Sequence, residues 1–148
     1  MTPRIYLDTN VFIAAFESAG AHADHAWSLL IAIQQGEAKA ATSELTLSEI
    51  LVKPISQGAE GLARAYESII SPDDTLDVLE VSRDVLVGAA RLRAANRSLR
   101  LPDAIHVASA QKAGCHYFIT GDERLTLPEG MKRLPVSPFT VDDIVRGP

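Results

Sequence analysis

Cysteine is nearly absent from this chain. Cys115 is the only one in 148 residues, so no intrachain disulfide can form and stability must come from a packed core. No apolar run approaches the ~20 residues that span a bilayer. The opening Met1-Thr2-Pro3-Arg4 leads straight into a strand-like segment, without the apolar stretch of a signal peptide. These absences predict a cytoplasmic protein with no membrane attachment. Positive charge is also in deficit: 14 Lys and Arg stand against 19 Asp and Glu, a net charge of −5. Taken alone, that argues against a nucleic-acid binder. An acidic total still admits a local basic face, and carboxylates grouped around a cation add to the deficit. Repeats, low-complexity tracts and linkers are lacking, and the four histidines are too scattered for a zinc spacing.

What is present is the balance of a soluble globular protein, 47% hydrophobic and 22% charged. The length suits one domain, 1–148, with a sizeable core. The organising stretch is Ile5-Tyr6-Leu7-Asp8-Thr9-Asn10-Val11-Phe12-Ile13. A short β-rich run ends in a carboxylate, and apolar residues resume at helical spacing. Read as strand, turn and helix, it places Asp8 at the carboxyl end of a first strand, the edge where open α/β sheets bind ligands. Asp8 alone is equally a turn or cap residue.

Further along, 22–35 reads as a helix with Ala26, Leu29, Leu30 and Ile33 on one face. Residues 39–42 suggest a short strand. Ser43 or Thr46 can cap the next helix, Thr46-Leu47-Ser48-Glu49 matches a capping box, and Pro54 should end that helix. Helical patterns follow over 59–70 and 83–96, with a β-like segment at 75–81 between them. Pro102 opens another helix that stops at Gly114. A strand is expected over 115–120, a turn at Gly121-Asp122 and a last short strand over 134–136. Strands alternate with helices throughout, which predicts a parallel sheet with helices on both faces. Function does not follow from that.

Four carboxylates occupy special places: Asp8 after the first strand, Glu49 early in the following helix, Asp103 in the turn that Pro102 opens, and Asp122 after Tyr117-Phe118-Ile119-Thr120. Strand ends and helix starts of a parallel sheet share one edge, so all four can reach one crevice. Crowded like charges raise one another's pKa, and a hard cation such as Mg²⁺ or Mn²⁺ relieves that cost. Each acid also has a plainer role. Glu49 completes a capping box, Asp103 complements a helix dipole and Asp122 sits in a turn. Their joint placement is what stands out.

Leu7-Asp8-Thr9-Asn10-Val11, Leu47-Ser48-Glu49-Ile50-Leu51, Leu101-Pro102-Asp103-Ala104-Ile105-His106-Val107-Ala108 and Ile119-Thr120-Gly121-Asp122 resemble the successive motifs of PIN-domain proteins, in particular the VapC-type toxins of type II toxin–antitoxin pairs. The resemblance runs through nearly the whole chain. Each motif alone is loose, and the ordered set is specific. It implies a three-layer α/β/α fold with a central parallel sheet of four to five strands. It also implies a metal-dependent endoribonuclease. Asp8, Glu49, Asp103 and Asp122 fall on the family's acidic positions and would hold one or two Mg²⁺ or Mn²⁺ ions, with metal-activated water attacking the phosphodiester. Thr9, Asn10 and Thr120 match the small polar residues beside the acids. Glu123 competes with Asp122 for the last position.

Arg91, Arg93, Arg97 and Arg100 crowd the approach to Asp103. Arginine suits phosphate, so this segment is the candidate RNA-facing patch, with a solvated helix face as the alternative. Lys112 and Arg124 are secondary candidates. His106 lies three residues beyond Asp103 and either touches substrate or packs. The family also implies a separate antitoxin partner and a homodimer. Trp27, Leu30, Ile31, Leu62 and Tyr66 supply an apolar surface for them, or else complete the core.

Two other readings compete. A phosphoryl-transfer enzyme with Asp8 as nucleophile would want a second Asp where Asn10 stands, or an adjacent acidic pair and a late lysine. A non-catalytic PIN-like module that only holds RNA or protein would be expected to have lost some of the acids.

Overall fold

The computed structural model describes residues 2–138 and 140–146. Five strands, β1 (Arg4–Leu7), β2 (Lys39–Ser43), β3 (Leu76–Leu79), β4 (Tyr117–Ile119) and β5 (Lys132–Leu134), form one sheet in the order β3-β2-β1-β4-β5. Every pairing is parallel. Seven helices accompany the sheet among the described residues: α1 (Thr9–Glu17), α2 (Ala21–Gln34), α3 (Glu44–Ser56), α4 (Glu60–Ile69), α5 (Arg83–Ala95), α6 (Leu101–Lys112) and α7 (Thr140–Arg146). The three-layer α/β/α expectation, with four to five strands, is met.

Side-chain alternation along the strands builds two cores. Ile5 and Leu7 of β1, with Tyr117 and Ile119 of β4, pack under α1, α2, α3, α4 and α7. Tyr6, Ala41 and Phe118 point the other way, under α5 and α6. Tyr6 stacks on Phe118 with ring centroids 5.0 Å apart. On that second face Gly88 of α5 permits close packing, since a Cβ there would lie 3.3 Å from the Ala108 Cβ of α6.

Two local expectations are corrected, and one helix was not expected. The helix over α3 does not end before Pro54; it continues to Ser56 with Pro54 buried inside it. Proline removes one donor, and the helix closes later in a Schellman arrangement. There Ala59 N–H donates to Pro54 O at 2.8 Å and Gly58 N–H to Ile55 O at 3.2 Å, around Gly58 at φ +68°. The last strand is Lys132–Leu134 rather than 134–136, because Pro135 has no N–H to continue the ladder. Helix α7 has no counterpart among the sequence expectations, and its Ile144 is buried in the first core.

The N-terminus of α3 is set by Ser43, which is fully buried and accepts from Leu45 N–H at 3.0 Å. Ser43→Ala is expected to lower stability by about 1 kcal/mol, the usual contribution of such a cap, measurable as a shift of the urea midpoint at unchanged m-value.

Candidate metal centre

In this strand order the chain reverses its direction of sheet growth at β1. After β1, β2 and β3 are laid down on one side, β4 and β5 are added on the other. The carboxyl ends of β1 and β4 therefore flank a topological switch point, where open α/β sheets form their ligand crevice. Leu7 is in register with Ile119, and Asp8 N–H donates to Ile119 O at 3.0 Å. Asp8 and Thr120 thus emerge side by side.

Asp8 is the N-cap of α1. Its Oδ1 accepts from Thr9 N–H at 2.8 Å, and its Oδ2 accepts from Thr120 Oγ1 at 2.7 Å. Thr120 Oγ1 accepts in turn from Asp122 N–H at 3.1 Å. Asp122 Oδ1 accepts from Arg124 N–H at 3.0 Å. The exposed Arg124 guanidinium lies 3.6 Å away through Nε. On the adjoining strand, Arg133 holds this loop by donating to Leu125 O at 3.0 Å and to Glu123 O.

Glu49 sits in the second turn of α3, not in its capping box. Ser43 caps that helix, and Thr46 lies inside it with its hydroxyl 2.8 Å from Thr42 Oγ1. Freed from the helix terminus, the Glu49 carboxylate reaches the crevice. Its Oε1 accepts from Thr9 Oγ1 at 2.9 Å and lies 2.6 Å from His106 Nε2. The hydrogen bond from His106 holds the Glu49 pKa below its ordinary value, against the opposing effect of burial.

Asp103 stands in the first turn of α6. It is partly buried. Its pKa is raised, first by desolvation and then by the Asp8 charge; Arg100 and His106 oppose the rise and Asp122 adds to it. Asp103 therefore feels both Asp8 and Asp122 across the crevice, with Glu49 held beside them by Thr9 and His106. Among the described residues no three His, Cys, Asp or Glu side chains are gathered into a ready-made metal cage.

His106 is 2% exposed. Its Nδ1 lies 2.6 Å from the Tyr6 hydroxyl and its Nε2 meets Glu49, so it is packed and fully engaged rather than open to a substrate. Asn10 is exposed on the first turn of α1. It lines an open cavity of about 720 Å³ with Ser18, His22, Asp122, Glu123 and Arg124. A second opening of about 340 Å³ runs from Asn96 and Ser98 past Arg100 and Asp103 to Asp122 and Arg124. Glu123 is exposed and lines only the first of these openings, whereas Asp122 lines both.

The arginines divide. Arg100 is the residue before α6 and lies near enough to lower the pKa of both Glu49 and Asp103. Arg93 donates through Nε to Leu99 O at 3.1 Å, which ties it to the α5–α6 loop. Arg91 and Arg97 are exposed. Tyr6 and Arg133 were not singled out by the sequence patterns. Tyr6 had a signal, since strand alternation separates it from Ile5 and Leu7 and a buried phenol needs a partner. Arg133 had none.

The apolar surface assigned to partners also divides. Tyr66 is fully buried and its hydroxyl donates to Glu17, so it belongs to the core. Leu30 and Leu62 pack against that core. Trp27 and Ile31 remain 38% and 47% exposed, beside a cleft of about 170 Å³ between α2 and α4. No helix among the described residues is long and apolar enough to cross a membrane.

Comparison with known proteins agrees with this fold. No curated protein matches the sequence significantly. Among solved structures, a toxin–antitoxin complex from Klebsiella pneumoniae is 25% identical, with a TM-score of 0.64 over 86% of this chain and 94% of that one. VapC20 of Mycobacterium tuberculosis, a toxin that cleaves the sarcin–ricin loop, is 20% identical with a TM-score of 0.66 over 81% and 91%. VapBC2 of Rickettsia felis, bound to a DNA fragment from its promoter, is 14% identical with a TM-score of 0.69 over 89% and 98%. The family model of the PIN domain matches residues 5–129, most of the chain and all four carboxylates of the crevice, and the chain belongs to the PIN domain family.

Proposed function

We propose that this protein is a divalent-metal-dependent endoribonuclease, the toxin of a toxin–antitoxin pair, and that Asp8, Glu49, Asp103 and Asp122 form its metal-binding site. The observation that carries the reading is Asp103. Its carboxylate is partly buried and sits near Asp8 and Asp122 with a raised pKa, and it makes no hydrogen bond among the described residues. A carboxylate in that setting is unfavourable without a cation. The donors are all oxygens, as Mg²⁺ and Mn²⁺ prefer. Mg²⁺ commonly binds through one or two carboxylates and keeps several waters, so a closed protein cage is not required. One structural relative is an RNA-cleaving toxin, which supports RNA as the substrate class.

A divalent ion bound here would acidify water and offset the charge of the phosphodiester. The chain's own contribution is placement. Thr120 and the Thr9 backbone fix Asp8, Thr9 and His106 fix Glu49, and Arg133 anchors the loop of Asp122. Arg100 and Arg124 put positive charge beside the acids, where a phosphate would otherwise be repelled. Asn10 is exposed at the rim. The test is cleavage of single-stranded RNA by the purified chain, with and without divalent metal.

RNA affinity is proposed to draw on the exposed arginines of the α5–α6 segment. Arg97→Glu should weaken RNA binding and flatten its salt dependence, by about 0.7 in the log–log slope for each phosphate no longer neutralised, with metal affinity unchanged. Arg93→Glu should do the same and also loosen the loop, because Arg93 holds Leu99 O. Filter binding across a salt series reads both, and an unaltered slope in Arg97→Glu would leave the segment as a solvated face.

The partners proposed are an antitoxin, in line with the Klebsiella complex, and a second copy of the chain. Ile31 is the cleaner probe of that surface. Trp27 also donates to Ala15 O at 2.6 Å and packs on Phe16, so replacing it disturbs the monomer. Sedimentation of the wild type should report a dimer at micromolar concentration, and Ile31→Glu should shift it to monomer with an unchanged unfolding midpoint. A monomeric wild type would remove the dimer.

A further inference from the structure

Tyr6, His106 and Glu49 form a line of hydrogen bonds that leads from the second core out to the crevice. Tyr6 is 0% exposed and His106 is 2% exposed. Both ring nitrogens of His106 have partners at 2.6 Å, the Tyr6 hydroxyl at Nδ1 and Glu49 Oε1 at Nε2. Nothing in RNA cleavage demands a buried histidine here, and the apolar surroundings on α6, such as Ala104, Ile105, Val107 and Ala108, would accept an aliphatic side chain. The polar line therefore needs a reason.

We infer that Tyr6 and His106 are positioning residues: the Tyr6 phenol donates to His106 Nδ1, which leaves the ring proton on Nε2, and Nε2–H donates to Glu49 Oε1 and aims the carboxylate at the metal. Three observations support this direction of donation. The Tyr6 phenol is an O–H donor, fully buried, with His106 Nδ1 2.6 Å away. A carboxylate only accepts, so the nitrogen facing Glu49 must carry the proton. Thr9 Oγ1 donates to the same Oε1 at 2.9 Å. Two donors thus converge on one oxygen, while Oε2 makes no hydrogen bond among the described residues and stays available. Hydrogen-bonded partners behind a metal-binding carboxylate fix its orientation, and their loss typically weakens metal binding by about 10–100-fold.

The inference rests on the metal-binding role proposed for Glu49, and the experiment separates the two. Nitrogen-15 NMR of the metal-free wild type should show the ring proton of His106 on Nε2 and a bare Nδ1. Mn²⁺ titration of the full chain, followed by electron paramagnetic resonance, should show tight binding by the wild type. Affinity should fall roughly tenfold or more in Tyr6→Phe and further in His106→Leu, with partial recovery in His106→Gln, whose amide can still donate towards Glu49. Circular dichroism and thermal midpoints check that the variants are folded. The Tyr6→Phe change removes one oxygen and keeps the ring stacked on Phe118. A proton on Nδ1 in the wild type would overturn the relay, as would Mn²⁺ affinities in Tyr6→Phe and His106→Leu within twofold of wild type, and either result leaves the metal site standing. Failure of the wild type to bind Mn²⁺ would overturn the metal site and the relay together.

Discussion

Asp8→Asn and Asp103→Asn, each made in the full chain, should lose RNA cleavage by more than the ~100-fold expected for a residue behind the metal ligands. Glu49→Gln and Asp122→Asn should follow. The cause is the same in each: an amide keeps the shape but not the charge that holds a divalent ion. What distinguishes this from damage to the fold is the effect on stability. Asp103 has a folded pKa above the ordinary value, through burial and the neighbouring Asp8 charge. Its charged form is disfavoured in the folded state, so the folded protein binds the proton more tightly than the unfolded chain. Stability of the metal-free protein is therefore fully present below the unfolded pKa and is lost as pH rises through the folded pKa. Asp103→Asn removes that cost. The metal-free variant should melt above metal-free wild type at pH 7, with the difference shrinking on acidification below both pKa values. A variant that is inactive and also less stable would point to a structural carboxylate. Within the β4 loop, Asp122→Asn should cost more activity than Glu123→Gln, and the reverse order would assign the site to Glu123.

Chelation is the second large effect. Treatment with EDTA should reduce cleavage to background, Mg²⁺ or Mn²⁺ should restore it, and Ca²⁺ should restore it poorly. Ca²⁺ takes more ligands at longer distances than the smaller ions, so it would hold the water and phosphate less closely. Activity that survives exhaustive chelation would refute a metal-dependent reaction.

Much of the architecture was legible in the residues because a parallel sheet writes itself plainly. The β-rich run Ile5-Tyr6-Leu7, helical spacing along 22–35 and the Pro102 helix start each follow a local rule, and the structure agrees with them. Local rules also misled. The capping-box pattern at Thr46–Glu49 satisfies every local requirement, yet Ser43 lies at the strand exit and takes the cap first. That displacement is what sends Glu49 into the crevice. Pro54 looked like a stop, and the Gly58 closure further on lets the helix pass it. Tyr66 read as part of an exposed stripe because its partner Glu17 is distant in sequence. The meeting of Asp8 with Thr120, and of Tyr6 with His106, spans more than ninety residues in each case. Only the strand order β3-β2-β1-β4-β5 brings them together, and no pattern within a single segment encodes it.

The most direct test is cleavage of a labelled single-stranded RNA by chelated, full-length protein on readdition of Mn²⁺, with Asp103→Asn purified and assayed in parallel to control for contaminating nucleases. Defined fragments that appear only with the wild type and only with metal are the predicted result. Equal cleavage by Asp103→Asn, or cleavage by the wild type without metal, would contradict the assignment of this crevice as a metal-dependent ribonuclease site.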